Sequence, residues 1–321
     1  MWIADGWKDY ELLDCGGGEK LERWDKQILV RPDPQAIWET DHSHPGWRRA
    51  NGRYSRSSSG GGHWDKGKLP ESWPIHYKEL TFQVKPMNFK HTGLFPEQAA
   101  NWDFAMEQIR RAGRPIRVLN LFAYTGTATC YAADAGVEET VTVDLSNTYL
   151  DWAERNMEQN GFVGPDHHYV RADVMSWIRD MRQTRNRWDL IFCDPPTFSN
   201  SSKMGRRTWD VQRDHVELLV GLSRLLSREG EAIFSCNLRT FRPDIEELAR
   251  AGVVLTDITD ETIPEDFARN KKIHHCYLVK RYTSEEAMRR IGMSEDAIRE
   301  RTRELREASA RKPADTKRFR R

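Results

Sequence analysis

Residues 117–144 read RVLNLFAYTGTATCYAADAGVEETVTVD, and this stretch decides the fold. Arg117–Phe122 is an apolar run with strand composition, and Ala123-Tyr124-Thr125-Gly126 is a small-residue turn. Thr127–Ala135 has helical composition, and Thr140–Asp144 is a second, β-branched run. Strand, turn, helix and strand in immediate succession make a βαβ unit. Toward the C-terminus the alternation continues. Asn147–Asn160 reads as a helix, with Asn147 as cap and Gly161 as stop. His168–Arg171 is a strand, Val174–Arg182 a helix, Trp188–Cys193 a strand and Asp210–Ser227 a long helix. Glu231–Cys236 is a strand, Asp244–Ala251 a helix, and the strands Val254–Ile258 and Cys276–Lys280 close the series. The pattern predicts an α/β fold with a doubly wound, mostly parallel sheet, whose ligands bind beyond the carboxyl ends of the strands.

Toward the N-terminus the pattern breaks. Short strand-like pieces, Gln27–Val30 and Thr81–Val84, stand between Gly- and Pro-rich turns. Residues 1–90 therefore read as a small β-rich accessory domain, with a flexible or inserted stretch around 40–70. Seven of the chain's 12 tryptophans (2, 7, 24, 38, 47, 64 and 73) fall there, which leaves it a candidate docking module. Residues 91–281 hold the alternating domain. Residues 282–321 read as a charged tail. Glu285–Ile291 and Glu295–Ala308 have helical composition but few apolar positions at helical spacing, so a solvated helix with a disordered end is expected. Residues 311–321 carry six basic side chains and one acid, Asp315, giving +5 and an expected salt-dependent affinity for RNA.

Composition excludes several classes. With 50 Lys+Arg against 49 Asp+Glu the chain has no global pull toward nucleic acid or acidic membranes. Its apolar runs are a few residues long, far short of the roughly 20 a membrane span needs. The N-terminus shows no signal-peptide pattern. The five cysteines (15, 130, 193, 236, 276) form no C-x-x-C pair, which argues against a zinc ribbon or disulfide scaffold and fits the cytoplasm. His274-His275 has no acid or cysteine at ligand spacing, so no metal is expected.

The turn after the first strand has one glycine. A dinucleotide pyrophosphate needs close backbone approach from several, whereas a nucleoside without phosphates does not. This favours S-adenosylmethionine over a nicotinamide cofactor. Asp144, 18 residues past Gly126, can accept both hydroxyls of a ribose. Asp173, after the third strand, can accept from an adenine amino group. The candidate cofactor residues are Asn120, Phe122, Ala123, Tyr124, Thr125, Gly126, Asp144, Leu145, Asp173, Val174 and Asp194. Each acid alone also reads as a plain strand end or helix cap.

The fourth strand runs into Asp194-Pro195-Pro196-Thr197-Phe198-Ser199, a rigid turn with an acceptor at its lip. Such a lip can grip the edge of a planar base while Phe198 stacks on it. Asp194, Pro195 and Phe198 are the candidate catalytic residues. Cys236 ends the fifth strand and is either a buried core thiol or a nucleophile. Lys203, Arg206, Arg207, Arg269, Lys271 and Lys272 are candidate phosphate contacts, or solvated charges.

The runs Asp194–Ser201, Asp210–His215 and Asp266–Asn270, with Thr92–Phe95, Leu119–Gly126 and Asp144–Asn156, resemble the RlmK family. These are the guanine-N7 half of the bifunctional bacterial 23S rRNA methyltransferases. The resemblance covers about residues 80–281. It implies a class I methyltransferase fold with a seven-stranded sheet, S-adenosylmethionine as donor, and large-subunit ribosomal RNA as substrate. RlmI-like cytosine-C5 enzymes share much of this layout, which keeps Cys236 as an alternative nucleophile. Two other classes stand beside it: a nicotinamide oxidoreductase on the same sheet, and a non-catalytic RNA-binding factor that kept the fold.

Overall fold

The computed structural model describes residues 6–34, 36–57, 61–199, 208–262 and 275–310. The N-terminal strands are β1 (Tyr10–Gly16), β2 (Glu19–Trp24), β3 (Gln27–Pro32), β4 (Gly52–Arg56), β5 (Gly62–Asp65), β6 (Trp73–Tyr77) and β7 (Leu80–Val84), with one helical turn, α1 (Gly46–Arg49). β1 to β5 form one sheet in sequence order, and β6–β7 is a separate hairpin. The stretch expected to be flexible or inserted, around 40–70, contains β4 and β5, which extend the sheet beyond β3. Tyr54 faces Trp64 across that hairpin with ring centroids 5.6 Å apart, a cross-strand aromatic pair that stabilises it. Most of the described tryptophans of this region are packing residues. Trp24, Trp47 and Trp73 are buried, and Trp7 and Tyr77 stack toward Trp102.

α2 (Ala99–Arg111) follows, an element the sequence pattern had not singled out. Its buried residues Trp102, Ala105, Met106 and Ile109 do recur at helical spacing. Then come β8 (Arg117–Leu121), α3 (Thr127–Asp134), β9 (Glu139–Asp144), α4 (Asn147–Gln159), β10 (His167–Arg171), α5 (Val174–Met181), β11 (Trp188–Cys193), β12 (Phe198–Ser199) and β13 (Trp209–Asp210). α6 (Val211–Ser223), β14 (Leu226–Cys236), α7 (Ile245–Arg250), β15 (Val253–Asp257), α8 (Thr259–Thr262), β16 (His275–Arg281), α9 (Ser284–Arg290) and α10 (Glu295–Ala310) complete the chain.

The main sheet has seven strands in the order β10-β9-β8-β11-β14-β16-β15. The five from β10 to β14 pair in parallel, and β16 runs antiparallel between β14 and β15. This is the doubly wound α/β architecture expected from the alternation. The strand order reverses between β8 and β11, which opens a crevice above their carboxyl ends.

Side-chain alternation along the strands assigns the two faces. Leu119, Leu121, Ile191, Cys193, Ala232, Phe234 and Cys236 pack against α5, α6 and α7. Val118, Leu190, Phe192 and Ile233 pack against α2 and α3. Three local expectations shift. α6 stops at Ser223 because Trp188 N–H donates to the Leu225 carbonyl at 2.9 Å and Leu226 pairs with Trp188, so the sheet takes these residues. The cap of α4 is Ser146, whose Oγ accepts from Tyr149 N–H, and not Asn147. The two tail helices are docked rather than solvated: Ala287 and Met288 of α9 and Ile298 of α10 are buried against Ala249 of α7. Residues 311–321 lie outside the described residues.

Candidate active site

A cavity of 740 Å³ sits at the carboxyl ends of β8, β9, β11 and β14, within the size range of small-molecule sites. Asn120, Phe122, Ala123, Tyr124, Asp144, Leu145, Asp173, Val174, Asp194 and Pro195 all line it, as the sequence led one to expect. Thr125 and Gly126 do not. Thr125 is buried, and its Oγ donates to the Gly93 carbonyl at 2.6 Å. Gly126 has φ +71°, and a Cβ there would lie 2.6 Å from Ala153 Cβ. Its lack of a side chain allows the close approach of α3 to α4.

Asp144 holds the turn in place. Its Oδ2 accepts from Tyr124 N–H at 3.0 Å, and its Oδ1 accepts from Ser146 N–H at 2.8 Å. Phe122 and Tyr124 both take positive φ, near 55° and 52°. Such backbone is costly for non-glycine residues and is tolerated where the surroundings enforce it. Asp173 caps α5, with Oδ1 accepting from Ser176 N–H at 2.9 Å, and also lines the cavity. The same carboxylate is thus a helix cap and a cavity-lining group.

Asp194 lies at the end of β11, and Ser235 Oγ donates to its Oδ1 at 2.8 Å. Burial pushes its carboxyl up to about 7; the Ser235 bond opposes this, and the charge of Glu97 adds to it. Glu97 Oε2 is itself buried without a hydrogen-bond partner. Phe198 is absent from the cavity wall. It is 55% exposed, between Thr197 and Ser199, which do line the cavity. Trp209 Nε1 donates to the Pro196 carbonyl at 2.6 Å and fixes the Asp-Pro-Pro turn.

Cys236 does not line the cavity. Alternation turns it to the opposite face of β14 from Ser235, it is fully buried, and burial pushes its thiol up to about 12. Cys193 contributes to the wall, but its side chain packs in the same core and is 1% exposed. Lys203, Arg206, Arg207, Arg269, Lys271 and Lys272 lie outside the described residues.

The sequence reading found only Tyr124 of one whole wall. Phe89, His91, Phe95, Tyr124 and Tyr149 line the cavity in a continuous chain of ring contacts, with centroids 5.5, 5.0, 5.4 and 4.7 Å apart. Gln98, Asn101 and Trp102 of the following segment join it. The signal was the aromatic spacing within residues 89–95, next to the Thr92–Phe95 motif.

The charges lining the cavity are three carboxylates, Asp144, Asp173 and Asp194, against Lys90. His91 is held neutral: burial and neighbouring cations push its imidazole down to about 3. Such a lining suits a cationic nucleoside such as S-adenosylmethionine, with its sulfonium and ammonium charges, and repels a dinucleotide pyrophosphate. Among the described residues no helix is long and apolar enough to cross a membrane.

Comparison with known proteins agrees with this chemistry. The family model for S-adenosylmethionine-dependent methyltransferases matches residues 37–274. The chain is 52% identical over 161 residues to the ribosomal RNA large subunit methyltransferase K/L of Vibrio cholerae, covering 50% of this chain and 22% of that protein. It is 51% identical over 224 residues to the protein of the same name from Allochromatium vinosum, covering 68% of this chain and 29% of the relative. The chain thus spans less than a third of the length of these curated relatives. The crystal structure of the S-adenosylmethionine-dependent methyltransferase from Agrobacterium tumefaciens superposes with a TM-score of 0.71 at 26% identity, over 87% of this chain and 91% of that one. The chain belongs to the S-adenosylmethionine-dependent methyltransferase family.

Proposed function

We propose that this chain methylates N7 of a guanine in large-subunit ribosomal RNA. The observation that carries this reading is a desolvated carboxylate, Asp194, at the rim of a cavity that exposes no reactive thiol. Cytosine-C5 methylation needs a thiolate at the base. Cys236 is turned away, buried and held protonated. Guanine N7 carries an exposed lone pair and no proton, so its methylation needs placement and no general base. The names of the relatives support a ribosomal substrate.

S-adenosylmethionine, when bound, supplies an electrophilic methyl group. In this reading Asp144 accepts the ribose hydroxyls on lone pairs not used by Tyr124 and Ser146. The second oxygen of Asp173 accepts from the adenine amino group, between Leu145 and Val174. Ionised Asp194 accepts from guanine N1–H and the exocyclic amine, leaving N7 toward the methyl donor. Pro195 keeps that lip rigid, and exposed Phe198 stacks on the base. Duplex RNA hides N7 in a deep, narrow groove, so the target is unpaired or flipped out. Residues 91–281 form the catalytic unit in this proposal, residues 1–90 an accessory, and residues 282–321 a tail. The cytoplasm is the matching compartment.

The test is methylation of protein-free 23S rRNA with labelled S-adenosylmethionine, followed by nucleoside mass spectrometry. N7-methylguanosine is expected. A 5-methylcytidine product, or a trapped adduct between Cys236 and a 5-fluorocytosine substrate, would overturn the reading.

A further inference from the structure

Five large hydrophobic side chains are exposed among the described residues: Ile37, Phe89, Val163, Phe198 and Ile245. The two aromatics among them are both at the cavity. Phe198 stands beside it and Phe89, 36% exposed, lines it. Next to Phe89, Lys90 also lines the cavity. Its Nζ donates to the Pro32 carbonyl at 3.4 Å, and no ion pair joins it to a described carboxylate. Burial and the neighbouring cations Lys20, Arg31 and Arg56 hold its ammonium below the usual range, while Asp33 pulls the other way. A half-buried cation among cations is a place where an anion is stabilised.

The N-terminal sheet builds this feature. Trp64 Nε1, on β5, donates to the Phe89 carbonyl at 3.0 Å. Arg31 Nη1, on β3, donates to the Lys90 carbonyl at 3.1 Å. Arg31 is itself fixed by a buried bidentate pair with Glu22, at 2.6 and 2.7 Å. The sheet therefore reaches the cavity through Phe89 and Lys90, which Trp64 and Arg31 hold in its lining.

We infer that Phe89 and Lys90 form the second half of the substrate site, Phe89 stacking on an unpaired base and Lys90 taking the phosphate of the same RNA segment. This rests on the RNA methyltransferase reading above. The occupant is single-stranded RNA because the two groups match its two repeating features, a planar base and a phosphate, at the rim where a base must enter. The acidic side chains that suit the cationic donor lie at the strand ends, which leaves the Lys90 side to the anionic substrate. With exposed Phe198, whose neighbours Thr197 and Ser199 line the cavity, the site would have two aromatic faces carried by different parts of the chain.

The test compares wild type with Phe89→Ala, Phe89→Tyr, Lys90→Gln and Lys90→Arg. Donor affinity is measured by calorimetry. KM and kcat are measured with protein-free 23S rRNA, and direct binding with a short single-stranded RNA over a range of salt. Phe89→Ala is expected to weaken RNA binding about tenfold, with Phe89→Tyr restoring it. Lys90→Gln should flatten the salt dependence by about 0.7, one single-strand phosphate contact, and Lys90→Arg should restore it. Donor affinity should stay within about twofold and melting temperatures should not move. A tenfold loss of donor affinity with RNA binding unchanged would assign this wall to the donor and overturn the inference, as would unchanged RNA binding in both variants. If wild type methylates no RNA, the functional reading falls, and the binding measurements still decide the wall on the same criteria.

Discussion

Replacing Asp194 by asparagine removes one charge from the cavity rim and leaves the shape and the Ser235 hydrogen bond in place, because the amide oxygen can still accept. Burial raises the Asp194 carboxyl from 3.8 to about 7. At about 1.4 kcal/mol per unit the full shift would correspond to about 4.5 kcal/mol; because Asp194 faces an open cavity and not closed core, the ionised carboxylate is expected to cost the folded state about 2–4 kcal/mol. The sign follows from linkage. Below about pH 4 the group is protonated in both folded and unfolded chains, and the penalty is absent. Between about pH 4 and 7 the unfolded chain loses its proton first, and the penalty grows. Above pH 7 it is complete. Asp194→Asn should therefore match wild type in urea denaturation at pH 4.5 to within about 1 kcal/mol, and exceed it by about 2–4 kcal/mol at pH 8. Other acid-sensitive groups are common to both proteins and cancel. The same variant should lose methyl transfer at pH 8, where the carboxylate would hold the base, so stability and activity move in opposite directions. A stability difference independent of pH would refute the claim that Asp194 is a desolvated, near-neutral acid.

Other changes give separate outcomes. Asp144→Asn should weaken S-adenosylmethionine binding at least about tenfold by calorimetry, since each hydrogen bond to a charged acceptor is worth roughly 1.5–3 kcal/mol; unchanged affinity would remove Asp144 from the donor site. Cys236→Ala should keep methyl transfer within about twofold while costing about 1–2 kcal/mol of stability from the space left in the core, and loss of activity in a folded variant would reinstate the nucleophile. Glu22→Ala should destabilise by about 3–5 kcal/mol in urea melts, because it leaves Arg31 buried and unpaired. Burial opposes ionisation of Glu22, but Arg31 and Lys20 outweigh it and hold the carboxyl at about 2. In wild type that contribution is full above about pH 4.5 and is lost as pH falls toward 2, and a Glu22→Ala chain with an unchanged acid transition would contradict it.

The alternating part of the fold was legible because its causes are local. Strands Trp188–Cys193 and Glu139–Asp144 are short apolar runs between turn residues, and such runs pair in parallel when helices separate them. The acids Asp144, Asp173 and Asp194 were legible for the same reason: a ligand on a doubly wound sheet lies beyond the strand carboxyl ends, so a carboxylate there is a candidate from spacing alone. Even the single glycine of the first turn argued correctly against a dinucleotide cofactor, and Gly126 also allows α3 to pack closely on α4.

Local pattern alone was therefore enough for the class of fold and for most of the strand-end residues that line the cavity. Only the tertiary structure decided which face of β14 each side chain takes, and so that Cys236 faces the core while Ser235 meets Asp194. Period-two alternation makes the two residues opposite, but which side holds helices and which holds the cavity depends on the whole sheet. Only the tertiary structure decided, too, that residues 89–95 form a wall. Phe89 is held by Trp64, 25 residues away, and Lys90 by Arg31, 59 residues away. Contacts across such distances leave no periodic trace, because nothing in the local chain dictates them. They exist only once the N-terminal sheet has packed against the segment that follows β7.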